Sequence, residues 1–98
     1  MGVLLKQGVL HNGLHRETRR AIGSLATLYA GHGLDLIITS LMEGEHMSGS
    51  LHYDGKAIDF RRQGLKKGDI ATRLYTLSAH WQVIEYNDLG IFHVEWDN

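Results

Sequence analysis

The chain contains no cysteine and no proline. Without cysteine there can be no disulfide and no thiolate metal centre, so any bound metal must be held by histidine, aspartate or glutamate. Without proline, glycine is the main punctuation along the sequence. No apolar run approaches the ~18 residues that a membrane-spanning helix needs. The segment Met1-Gly2-Val3-Leu4-Leu5-Lys6 loses its apolar character too soon to read as a secretory leader. Synthesis in the cytoplasm is therefore expected, with another factor needed to bring the protein to any substrate outside the cell. The net charge of −1 supplies no basic field for nucleic acid, which is not expected as a partner.

Hydrophobic residues make up 43% and charged residues 21% of 98 residues, a composition that folds and does not remain disordered. This length suits one small domain over residues 1–98, expected to be a monomer. Such a domain buries a limited core, and bound metal would add to its stability. Seven histidines are many for this length.

Residues 1–13 fit either a strand or a packed arm, and Asn12-Gly13 signals a turn. From Leu14 to about Ala30, Leu14, Ala21, Ile22, Leu25, Leu28 and Tyr29 recur at spacings of three and four, which predicts a helix. Arg16, Glu17, Arg19 and Arg20 are expected on its solvated side. Leu34–Ser40 is rich in β-branched residues and reads as a buried strand. A loop follows over 41–51. Lys56–Phe60 is a second strand, and a second helix is expected from Lys67 or Gly68 to Ala79, with Ile70, Ala71, Leu74, Leu77 and Ser78 inward. Trp81–Glu85 and Ile91–Trp96 form a closing hairpin. The expected fold class is α+β, a small antiparallel sheet of about four strands with helices on one face.

Two stretches carry chemistry. In Ser50-Leu51-His52-Tyr53-Asp54-Gly55-Lys56-Ala57-Ile58-Asp59-Phe60, the strand alternation points Ala57 and Asp59 one way and Ile58 and Phe60 the other. A carboxylate set into such a strand is costly to bury unless something compensates its charge. A divalent cation does so, and His52 is placed to share it. In Phe92-His93-Val94-Glu95-Trp96, His93 and Glu95 share a face. His52, Asp59 and His93 make a three-ligand zinc set with the fourth position left for water. The competing reading is a satisfied polar cluster in a small core. Glu95 then either orients a ligand histidine or pairs with a neighbour on the sheet.

The pattern His-x6-Asp with an internal Gly-x-Ala-x-Asp, followed by a strand bearing His-x-Glu, resembles the zinc metallopeptidases of peptidoglycan peptides. These include D-alanyl-D-alanine carboxypeptidases and dipeptidases and the L-alanyl-D-glutamate endopeptidases of phage lysis enzymes. The wording Ser-Leu-His-Tyr-Asp-Gly-Lys-Ala-Ile-Asp is similar to the zinc site of Hedgehog signalling domains, which share that fold. The likeness covers roughly residues 14–96. It implies a zinc peptidase that hydrolyses bonds in peptidoglycan stem peptides, in the setting of phage-type lysis or wall remodelling. It also implies that Glu85, at a strand end before the last ligand, is the general base, with Asp88 a rival nearer the turn. His46, six residues before His52, becomes a group that stabilises the oxyanion, and Ser50 a residue beside the first ligand. Bacterial members carry an arginine shortly after the strand corresponding to Leu36–Ser40. Here the chain reads Ser40-Leu41-Met42-Glu43-Gly44, leaving Arg61, Arg62 or Lys56 as stand-ins. That departure keeps open the alternative of a zinc-stabilised, non-catalytic binding module of Hedgehog-like type.

Overall fold

In a computed structural model of the chain, residues 2–5, 16–40 and 57–96 are described. They form a strand β1 (Val3–Leu5), a helix α1 (Arg16–Gly31), strands β2 (Leu36–Ser40) and β3 (Ala57–Arg61), a helix α2 (Lys67–Tyr75), and strands β4 (Trp81–Tyr86) and β5 (Ile91–Trp96). The class is α+β, as expected, but the sheet has five strands and is mixed. Its order is β1-β2-β3-β5-β4. β1 runs parallel to β2, while all other neighbours are antiparallel. Three residues, all exposed, are too short a run to show alternation. The pairing of Val3 with Leu36 and of Leu5 with Ile38 makes them a strand.

Both helices cover one face of the sheet. Leu36, Ile38, Ile58, Phe60, Trp81, Val83, Phe92 and Val94 project from the strands into a core with Ala21, Leu25 and Tyr29 of α1 and Ile70 and Leu74 of α2. Phe60 meets Tyr29 edge-on, with ring centroids 5.9 Å apart, and lies 5.7 Å from Phe92. The Tyr29 hydroxyl donates to the carbonyl of Arg61 at 2.8 Å, so one aromatic both fills the core and ties down the end of β3. Burial pushes the Tyr29 phenol well above its ordinary range.

Three details depart from the sequence pattern. Glu17 is buried and not on the solvated face, where it accepts from Arg20 at 3.1 Å, while Arg16 and Arg19 are exposed. α2 ends at Tyr75, several residues early, and in the turn that follows the Leu74 carbonyl accepts from the backbone N–H groups of Leu77 and Ser78. That turn frees the Ser78 hydroxyl to accept from the Trp96 indole N–H at 3.2 Å, anchoring the end of β5. Between Ile38 and Ser40 the β2–β3 register slips, which brings Ser40 opposite Asp59. An extra residue on one strand bends it and re-aims its side chains.

The β4–β5 hairpin sets everything that follows. Tyr86 pairs with Ile91, and residues 87–90 close the loop. Gly90 has φ +65°, a conformation that side-chain-bearing residues adopt at a cost, and its carbonyl accepts from the Arg62 backbone N–H at 2.8 Å.

Candidate metal centre

β3 and β5 are adjacent, and their register places Asp59 directly opposite His93. Both belong to the face of the sheet away from the helices, since Ile58, Phe60, Phe92 and Val94 take the core side. Asp59 Oδ1 lies 2.6 Å from His93 Nδ1. On the other side of the ring, Glu95 Oε1 lies 2.7 Å from His93 Nε2. The three side chains are 14–23% exposed, so they are partly withdrawn from water without being sealed from it. Tyr86, also on this face, packs edge-on to the His93 ring at 6.4 Å.

The proton count of this arrangement is informative. A carboxylate only accepts, and a neutral imidazole has one N–H. Two short contacts to two carboxylates therefore require both ring nitrogens to carry a proton, or an electrophile other than a proton on one of them. Burial alone lowers the pKa of His93, but the hydrogen bonds to Asp59 and Glu95, together with their charges, outweigh it and raise the pKa above its ordinary value. Imidazole and carboxylate are donor types that zinc accepts, but here Asp59 Oδ1 contacts His93 Nδ1 directly at 2.6 Å, with a second carboxylate on the other ring nitrogen.

Among the described residues no group of three histidine, aspartate or glutamate side chains is arranged to hold an ion together. Asp59 and Glu95 fall on opposite nitrogens of His93 and do not share a point. The third expected ligand, His52, lies outside the described residues, as do His46, Ser50 and Lys56.

Glu85 is not brought to this site. It pairs with Phe92, whose side chain is in the core, whereas the residue opposite His93 is Ile84. Glu85 therefore points to the other side of the sheet from His93. There its Oε2 accepts from the Arg62 guanidinium at 2.8 Å, and the same Arg62 nitrogen reaches the Asn87 side-chain carbonyl. Asp88 sits in the hairpin loop with Glu85, Tyr86, Asn87 and Leu89 around a shallow depression. The geometry instead supplies two residues on the His93 face that motif reading passes over. Tyr86 belongs to β4 and not to the turn. Ser40, buried and opposite Asp59, has a hydroxyl with no hydrogen-bond partner among the described residues. Strand parity identifies Tyr86 once the hairpin register is known, whereas Ser40 depends on the register slip and has no sequence signal.

Compared with known protein families and with curated proteins, the chain matches no family model and no individual protein. No helix among the described residues is long and apolar enough to cross a membrane.

Proposed function

We propose that the protein is a zinc-dependent peptidase acting on peptidoglycan stem peptides, with a fold of the D-alanyl-D-alanine peptidase and Hedgehog type. The observation that carries this reading is the Asp59–His93 pair, two ligand-type side chains from strands 34 residues apart in sequence meeting at 2.6 Å on a partly exposed sheet face. Asp59, the last residue of the His-x6-Asp motif, and the His-x-Glu motif meet there. In this reading Asp59 and His93, with His52, hold the metal. When bound, zinc supplies Lewis acidity and a water whose pKa falls to about 7. Glu95 accepts the Nε2–H of His93 and so would leave the Nδ1 lone pair for the metal, beside Asp59. Tyr86 walls one side of the ring.

One observation favours the second reading, a zinc-stabilised binding module without turnover. The carboxylate that the family likeness assigns as base, Glu85, is committed to Arg62 on the far side of the sheet. For Glu85 to act, that ion pair must open and the end of β4 must turn over. The two readings part on one experiment: zinc-loaded protein incubated with a panel of muropeptides and read by mass spectrometry. Release of alanine or of a dipeptide supports the peptidase. Intact peptides throughout a neutral pH series, with zinc bound, support the module.

A further inference from the structure

The sheet ends in two strands of different kind. β1 is only three residues long. β4 is the long edge, Trp81–Tyr86, paired with β5 along its whole length on one side and with nothing among the described residues on the other. Such a strand turns alternate backbone N–H and C=O groups toward an open edge, and folded proteins blunt that edge with a charged side chain, a proline or a bulge. β4 has no proline and no register shift. Its one charge, Glu85, is compensated by Arg62 at 2.8 Å. On the helix-free face it carries apolar side chains, Ile84 at 40% and Tyr86 at 43% exposure, with Leu89 following in the loop at 69%.

The charges beyond the two ends of β4 point to a second copy as the occupant. His80 precedes the strand and Asp88 follows it in the hairpin loop. Both are exposed, and among the described residues neither side chain has an ion pair. An antiparallel pair of identical strands is centred on one residue, which then faces its own copy. Centred on Glu85, the pairing sets two carboxylates against each other. Centred on Val83, it leaves Asp88 with no opposing charge. Centred on Ile84, it sets the exposed isoleucines together and brings Asp88 of each hairpin alongside His80 of the other chain. A two-fold contact of this kind closes after two copies, whereas β4 laid on β1 would repeat into a filament.

We propose that two copies of the chain pair antiparallel along β4, with the two-fold axis at Ile84, into one continuous sheet. This dimer stands in place of the monomer expected from chain length, and it does not depend on what the candidate site binds. Ile84 lies directly opposite His93, so the two His93 side chains fall on one line through the axis and on the same face. Three strand spacings separate them, about 14 Å. The dimer therefore presents its two candidate sites side by side on a single surface.

The chain has no cysteine, so one introduced thiol reports the register. Directly opposed residues of antiparallel strands have Cα atoms about 4.5–5.5 Å apart, within disulfide reach. Ile84→Cys, oxidised mildly with diamide, is expected to form covalent dimer at least tenfold faster than Gln82→Cys, which stands four residues, about 14 Å, from its own copy along the strand. Light scattering of the wild type at high micromolar concentration should give twice the chain mass. His80→Glu should weaken association at least threefold, and adding Asp88→Lys should restore it. Within one chain those two residues stand at opposite ends of β4, so the rescue reports a contact between copies. A monomeric wild type at that concentration overturns the proposal, and so does equal cross-linking of the two cysteine variants. Oligomers that grow beyond two copies, or association indifferent to His80→Glu, overturn it as well.

Discussion

His93 stands between two carboxylates, Asp59 at Nδ1 and Glu95 at Nε2, and both contacts are shorter than 2.8 Å. In the proposed reading, a histidine so placed is a proton site and a metal site in competition. With metal absent, the imidazolium satisfies both oxygens. A cation taken up on the Asp59 side displaces one of those protons, which couples metal affinity to pH.

The first prediction concerns the metal-free protein. The folded-state pKa of His93 is raised above its unfolded value near 6.5. The stability it contributes is therefore fully present below about pH 6.5 and is lost as pH rises through the folded-state pKa. Thermal melts in chelator should show a midpoint that declines from mildly acidic to alkaline pH. His93→Gln should flatten that decline. A wild-type midpoint that rises over the same interval would mean that His93 is neutral between its two carboxylates. Zinc affinity should run the other way and weaken as the solution is acidified.

Glu95→Gln isolates the carboxylate behind the ring. An amide can still accept from Nε2 but no longer carries the charge that holds the proton there. Loss of such a partner typically lowers metal affinity or activity by about 10–100-fold. Competition against a zinc-binding dye should show a decrease in that range with the fold intact. An affinity within twofold of wild type would make the Glu95 contact incidental.

Glu85→Gln separates the family likeness from the observed geometry. A general base contributes about 10²–10⁴-fold. The Glu85–Arg62 pair, each side chain about one quarter exposed, is worth at most about 1 kcal/mol after solvent screening. The arrangement predicts a slightly lower melting temperature, unchanged zinc content, and cleavage within a few-fold of wild type. A loss beyond a hundredfold at constant zinc would show that Glu85 leaves Arg62 and reaches the site during turnover.

Much of this was legible in residue order. The helical stripe through Ala21, Leu25 and Tyr29 and the alternation in Phe92-His93-Val94-Glu95 each mark a buried face that the fold retains. Parity alone places His93 and Glu95 together. The position of Glu85 was not legible, because it depends on how many residues the hairpin loop takes. Residues 87–90 form the loop, so Glu85 falls opposite Phe92 and its side chain lies on the helix-covered side of the sheet, away from His93. β1 escaped for a different reason, since Val3, Leu4 and Leu5 are all exposed and a parallel partner is set only by distant β2. Glu17 looked solvated by composition and is buried through its pairing with Arg20.

Phe60 links core and site. It is fully buried between Tyr29 and Phe92, while its chain neighbours Asp59 and Arg61 belong to the face that bears the candidate site. Phe60→Ala should cost about 3–5 kcal/mol, a large part of the ~5–15 kcal/mol available to a small domain. Chemical denaturation should register that cost, and added zinc should recover part of it by mass action. A cost below about 1 kcal/mol would mean that β3 is not held by this aromatic cluster.

The most direct measurement is the zinc content of protein purified without added metal, determined by elemental analysis for wild type and for His52→Ala, Asp59→Asn and His93→Gln. The account predicts one zinc per chain in the wild type and a large loss in each variant, with circular dichroism showing that the chelator-treated proteins remain folded. A wild type that takes up no zinc at micromolar concentration, or Asp59→Asn and His93→Gln variants that keep stoichiometric zinc, would contradict it.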